Sequence, residues 1–290
     1  MLIRRLAIIG LGLIGGSLAK AARMANVVET IVGFDADRMQ IQRALQDRVI
    51  DVSADSAADA ARGADVVLIA VPVLATANAL HAAKPGIGVD SIITDVGSTK
   101  QSVLAAAQEV FGTVLPKFVA AHPIAGTEKS GVANALPDLF RGHRVILTPH
   151  AQQDVAAQTL IAKLWEAVGA RVVTMEPARH DAIFAATSHL PHLLAFAFVD
   201  MLSRLEGADV DIFPNAGGGF RDFTRIASSS PRMWHDIVRA NSTQIAALLQ
   251  RQIDELQRLH QLIERGEWQQ LGEVFEHARA VRERHLARIE

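Results

Sequence analysis

His122 closes an apolar run, Phe118-Val119-Ala120-Ala121, and is followed at once by Pro123. Imidazole titrates near pH ~6.5, so a neutral histidine at the carboxyl end of a buried strand can take a proton at physiological pH. The same ring could be tied to local backbone, and position alone weighs the two evenly. Ser98 ends another apolar run and opens Ser98-Thr99-Lys100-Gln101, which fits a helix capping box; its hydroxyl could also reach a ligand. Arg225 stands among Phe220, Phe223 and Ile226, where a guanidinium can grip a carboxylate through two parallel hydrogen bonds. Its bland alternative is a surface ion pair with Asp222. His189 and His192 share a helical face, but with no H-E-x-x-H pattern beside them a metal site is not expected. Gly217-Gly218-Gly219 reads as a flexible turn that could let backbone approach a substrate.

A partner for this chemistry is marked at the start of the chain. Leu6-Ala7-Ile8-Ile9 runs into Gly10-Leu11-Gly12-Leu13-Ile14-Gly15, a small-residue helix pattern follows, and Ile31-Val32-Gly33-Phe34 ends at Asp35. Gly10 permits the tight turn, Gly12 lets backbone approach a pyrophosphate, and Gly15 lets the helix starting at Leu13 and Ile14 lie close to the strand. Phosphates favour the helix N-terminus, where N–H groups are unpaired and the dipole is positive. Asp35 lies 20 residues beyond Gly15, the spacing at which an acid meets the adenosine ribose. An acid there repels a 2′-phosphate, so the expected cofactor is NAD rather than NADP. Val71-Pro72 ends the next buried run, and the loop it opens passes over the cofactor.

The elements that hold these residues follow from periodicity. Val66–Ala70, Ser91–Thr94, Phe118–Ala121, Arg144–Leu147 and Arg171–Val173 read as strands. Helices over 38–48, 57–62, 74–83 and 152–168 alternate with them, which predicts a doubly wound, Rossmann-like α/β domain over 1–175. From 176 to 290 the strands stop. Residues 183–205 form one helix, apolar all round from Leu193 to Val199, in which Pro191 frees the carbonyl of Thr187. Ile245 to Ile263 keeps helical spacing, Gly266 ends it as a C′ cap, and Trp268 to Ile289 forms a last helix. Arg279, Arg282, Arg284 and Arg288 on that helix read as a solvated face. A helix apolar on both faces in so small an all-α domain predicts a homodimer.

Composition narrows the field. The 290 residues carry a formal net charge of −2, with a pI near 6.6, which gives no pointer to nucleic acid. There is no cysteine, so no disulfide and no thiolate chemistry, and no tyrosine. Glycines interrupt the apolar stretch after Arg4 and Arg5, and no unbroken apolar run reaches the ~18 residues of a membrane span. A cytoplasmic protein is expected. The lysines, Lys20, Lys84, Lys100, Lys117, Lys129 and Lys163, all precede the helical part. That separates the chain from the β-hydroxyacid dehydrogenases, which draw a catalytic lysine from theirs.

The chain resembles the prephenate/arogenate dehydrogenase family of tyrosine biosynthesis along essentially its whole length. The resemblance rests on residues 10–19, Asp95-Val96-Gly97-Ser98-Thr99-Lys100, the block from His122-Pro123-Ile124-Ala125-Gly126-Thr127-Glu128 to Gly131, Ser188-His189-Leu190-Pro191-His192, Gly217 to Arg225, and Trp234. It implies oxidative decarboxylation of a cyclohexadienol. Hydride leaves C4, a base takes the hydroxyl proton, and carbon dioxide departs as the ring becomes aromatic. By resemblance His122 is that base, Ser98 bonds it and the substrate hydroxyl, and Arg225 clamps a carboxylate. His192, Gly218 and Trp234 complete the pocket, and Glu128 acts as a gating acid. The resemblance also implies no chorismate mutase segment before the glycine-rich turn and no ACT domain after residue 290, so tyrosine feedback would act at the active site. Prephenate is the favoured substrate, with some use of arogenate. An NAD-dependent 2-hydroxy acid dehydrogenase and a non-catalytic NAD-sensing protein stay open as alternatives.

Overall fold

A computed structural model describes residues 1–127, 129–206 and 211–286. By internal packing the chain divides into Met1–Ser242 and Thr243–Glu290. In the first unit, β1 (Ile3–Ile9), β2 (Val28–Phe34), β3 (Val52–Ser53), β4 (Val66–Ile69), β5 (Ile92–Asp95) and β6 (Phe118–Val119) form a parallel sheet of order β3-β2-β1-β4-β5-β6. The reversal of direction at β1 and β4 creates the crevice at which such sheets take dinucleotides. The helices of this region are α1 (Leu13–Met24), α2 (Arg38–Gln46), α3 (Ala57–Ala61), α4 (Thr76–Ala83) and α5 (Gln101–Phe111).

Alternate strand residues feed two separate cores. Leu6, Ile8, Val66 and Leu68 join Leu18, Phe140 and Trp165 on one face, while Ala7, Ile9, Val67 and Ile69 join Leu80, Val103 and Trp234 on the other. A sheet covered on both faces needs apolar residues at every position, which is why its strands read as continuous runs.

The expected strand 118–121 is two strands. It breaks at Ala120, and β7 (Ala121–Pro123) joins a second sheet with β8 (Arg144–Leu147) and β9 (Arg171–Thr174). His122 therefore lies within a strand, opposite Ile146, rather than just beyond one. The break is held by hydrogen bonds, with Thr148 N–H on Ala120 and Thr94 Oγ1 on the carbonyl of Val119. α6 (Val155–Ala167) packs beside this second sheet.

After Thr174 the described residues hold helices only: α7 (Pro177–Phe184), α8 (Leu190–Leu205), α9 (Gly218–Thr224) and α10 (Pro231–Ala240) in the first unit. The single helix expected over 183–205 is instead two, joined by a π-helical turn at Ala185–His189 in which Leu190 N–H reaches back five residues to Ala185. The wider turn accommodates Pro191, which follows it in the first turn of α8 and has no N–H to donate back to it. By length and composition Pro177–Leu205 could also cross a membrane. Its buried polar members bond inward, however: His180 to His122, Asp181 to the start of α5, and His189 to Asn241. The three glycines expected as a turn are the start of α9, with Gly217 its N-cap.

The second unit holds all but the first residue of α11 (Ser242–Glu264), and α12 (Trp268–Leu286). Gly266, at φ +68°, ends α11 as expected, with Glu267 N–H reaching Leu262. Arg288 and Ile289, assigned above to the last helix, lie outside the described residues.

Candidate active site

The glycine-rich turn has the geometry its sequence demands. Gly10 adopts φ +101°, and a side chain there would strike the Ala70 carbonyl, 2.3 Å away, with Val71 close by. A Cβ on Gly15 would lie 2.2 Å from the Gly10 carbonyl oxygen and 3.1 Å from Ile8, so α1 meets β1 too closely for any other residue. Gly12 differs: nothing lies within 4 Å of its Cβ position. That open side, at a helix N-terminus capped by no side chain, is a cradle a pyrophosphate fits. Leu13 and Ile14 begin α1, and Val71 and Pro72 follow β4 beside the turn. Asp35 holds the turn from β2, accepting Leu11 N–H at 2.7 Å and Asp37 N–H at 2.8 Å. These residues fit NAD.

His122 is brought to the same edge of the sheet by a buried clamp. Asp95, at the end of β5, accepts Ala121 N–H at 3.0 Å, and Lys100 Nζ donates to the Ala121 carbonyl at 2.6 Å. Lys100 and Asp95 are themselves paired at 2.5 Å and almost wholly buried, so the peptide before His122 is gripped from both sides. His122 Nδ1 lies 2.9 Å from His180 Nε2, and His180 Nδ1 lies 2.8 Å from Asp181 Oδ1. Phe184 packs edge-on against the His122 ring. Burial, the neighbouring His180 and the Lys100 ammonium hold the His122 imidazole well below its usual value, so it is neutral at physiological pH. Nε2 of His122 has no partner among the described residues and is not sealed off.

Ser98 departs from expectation. The helix begins at Gln101, so Ser98 lies too early to cap it, and among the described residues its hydroxyl bonds neither backbone nor His122. The cap comes from far along the chain: Asp181 accepts the N–H groups of Lys100 at 2.8 Å and Gln101 at 2.9 Å. Among the described residues His122 bonds His180 through Nδ1, and no bond between Ser98 and His122 is present.

His192 stacks on Trp234 with ring centroids 3.6 Å apart and donates Nδ1–H to the Ser188 carbonyl. Burial lowers its pKa, and nearby Arg225 lowers it further. Trp234 is buried, and among the described residues its indole N–H has no partner. Arg225 is exposed, and among the described residues it makes no ion pair, with Asp222 or any other acid. Among the described residues nothing lies within 4 Å of the Cβ position of Gly218. Glu128 lies outside the described residues. His180, Asp181, Lys100 and Asp95 were not singled out as candidates. Nothing in periodicity links position 122 to 180.

Known proteins resemble this chain in sequence and fold. The family model described as "Prephenate dehydrogenase, nucleotide-binding domain" matches residues 18–174, and "Prephenate dehydrogenase, dimerization domain" matches 176–277. The chain is 37% identical over 280 residues to a cyclohexadienyl dehydrogenase of Zymomonas mobilis, covering 96% of this chain and 95% of that one. It is 38% identical to a prephenate dehydrogenase of Bacillus subtilis, covering 94% and 74%. The crystal structure of an Aquifex aeolicus prephenate dehydrogenase with hydroxyphenyl propionate and NAD+ superposes with a TM-score of 0.90 at 36% identity, covering 96% and 97%.

Proposed function

The chain belongs to the prephenate dehydrogenase family, and from that premise we propose that it carries out the NAD-dependent oxidative decarboxylation of prephenate to 4-hydroxyphenylpyruvate. Arogenate, whose side chain carries an ammonium where prephenate carries a ketone, is a second substrate of the same site. The observation that carries this reading is the neutral, anchored His122 whose second ring nitrogen has no partner among the described residues.

NAD supplies a hydride acceptor when bound. The chain's own residues do the rest. His122 Nε2 takes the proton of the substrate 4-hydroxyl as C4 is oxidised, and the resulting dienone loses carbon dioxide because the ring gains aromaticity. Arg225, free of acidic partners among the described residues, grips a substrate carboxylate. The stacked His192 and Trp234 wall the pocket, Gly218 leaves room for substrate against the backbone, and the Ser98 hydroxyl reaches the substrate. Glu128 keeps its proposed gating role. Asp35 selects NAD over NADP, supported by a carboxylate held fixed by two backbone N–H groups.

The two domains we propose are 1–175, for NAD, and 176–290, helical and dimer-forming. Support for a homodimer comes from apolar side chains that one chain leaves uncovered, with Met201, Leu205, Trp268 and Phe275 all exposed. Cytoplasmic localisation remains part of this reading. The test is to supply purified protein with NAD and prephenate and follow NADH and carbon dioxide together. Equimolar release from prephenate supports the reading, NADH formed without carbon dioxide from a 2-hydroxy acid supplied in its place points to a 2-hydroxy acid dehydrogenase, and NAD binding without turnover of either points to a sensor.

A further inference from the structure

His180 and Asp181 have no part in the chemistry described so far, yet both are buried and both point along one line to the base. The chain of bonds has a direction that elementary donor counting fixes. Asp181 accepts two backbone N–H groups besides the His180 ring, so it is the carboxylate and only accepts. Burial opposes that charge, but the bonds from His180, Lys100 and Gln101 outweigh it and hold the carboxyl below its usual range. His180 Nδ1 must then carry a hydrogen. Burial lowers the His180 pKa despite Asp181 and keeps the ring neutral, so its Nε2 bears a lone pair. A lone pair 2.9 Å from His122 Nδ1 requires the hydrogen of His122 to sit on Nδ1.

We propose that His180 and Asp181 are positioning residues that lock His122 in its Nδ1–H tautomer and so reserve the Nε2 lone pair for the substrate. This rests on the function proposed above. In the reaction the substrate O–H bond breaks, its proton goes to His122 Nε2, and the Nδ1–H bond to His180 stays intact. The positive charge that forms on His122 is then opposed, through the polarised His180 ring, by the Asp181 carboxylate, while Lys100 on the other side disfavours it. His189 adds to the disfavouring side, Asp95 is already paired with Lys100, and Phe184 contributes only apolar cover. The arrangement leaves the base neutral at rest and offers it one route of charge relief during proton transfer.

The primary test is nitrogen-resolved NMR of the histidine rings in the NAD-bound protein near neutral pH. The expected result is Nδ1–H on His122 and Nδ1–H on His180. A hydrogen on His122 Nε2 overturns the proposal. This reading needs no turnover, so its failure is distinct from failure on prephenate. The kinetic arm compares H180L, which removes both bonds, with H180Q, whose side-chain oxygen can still accept from His122. We expect H180L to lower kcat about 10- to 100-fold with KM for prephenate changed less than about 2-fold, and to move the acid limb of the pH profile; H180Q regains part of the rate. Wild-type kcat and an unmoved limb in H180L contradict the proposal, as does an equal loss in both variants with the His122 tautomer unchanged. Should H180L not fold, the tautomer in the unsubstituted protein decides.

Discussion

The carboxylate of Asp181 accepts the backbone N–H of Lys100 at 2.8 Å, joining positions 81 residues apart. With its second bond to Gln101 and a third to His180, it caps a helix of the α/β layer from α7. Replacing Asp181 by Ala leaves the buried donors of Lys100 and His180 and the part-buried N–H of Gln101 without acceptors, at about 1–3 kcal/mol each. The expected outcome is a urea midpoint lowered by the equivalent of at least about 3 kcal/mol. A loss below about 0.5 kcal/mol would show that water reaches these groups.

The two glycines of the nucleotide turn should separate stability from cofactor binding. Gly15→Ala forces a methyl onto the Gly10 carbonyl and should lower the melting temperature through a cost of about 1–3 kcal/mol. Gly12→Ala meets no protein atom and has an extended backbone any residue adopts, so the free protein should keep its stability to within about 1 kcal/mol. Its KM for NAD should rise at least about 10-fold, because the added methyl occupies the side reserved for pyrophosphate. Calorimetry and NAD titration on both variants check the pair; identical behaviour would contradict it.

Acid should destabilise the fold well before its carboxylates protonate. His122, His180 and His189 are all held below the ordinary histidine value by burial, His189 to about 4. Between pH ~6.5 and about 4 the unfolded chain binds protons that the folded chain refuses, so stability falls as pH falls through that window. His189 alone accounts for on the order of 3 kcal/mol. Denaturation midpoints at several pH values should decline across this range, and less steeply in His189→Gln, where His122 and His180 still contribute. A level profile would show that these rings are protonated in place.

Arg225 is exposed and near enough to His192 to affect its pKa. Arg225→Ala should chiefly raise KM for prephenate, by about 10-fold or more for a lost charge-assisted pair, with NAD binding unaltered. An unchanged KM, read from initial rates, would remove the clamp from the account.

What could be read from sequence divides along physical lines. The nucleotide turn was legible because Gly10, Gly15 and Asp35 are each forced by local geometry that recurs at fixed spacing. The sheet was legible because its strands are covered on both faces and so are uniformly apolar. Ser98 misled because a capping box is a local pattern, whereas the helix found its cap in a carboxylate from another element. The strand that carries His122 was read two residues short, since apolar character does not reveal a change of sheet at Ala120. The π turn before Pro191 left no periodic mark beyond the proline itself. His180 and Asp181 stayed hidden for the same reason as the Asp181 cap: their partners are distant in sequence and no spacing rule connects them.

Everything in the mechanism depends on His122 as the base that takes the hydroxyl proton. His122→Asn keeps a side chain of similar reach but cannot accept that proton as imidazole does. The account predicts a kcat on prephenate lowered by ~10²–10⁴, with the Kd for NAD within about 2-fold of the unsubstituted protein. A near-unchanged kcat would contradict it.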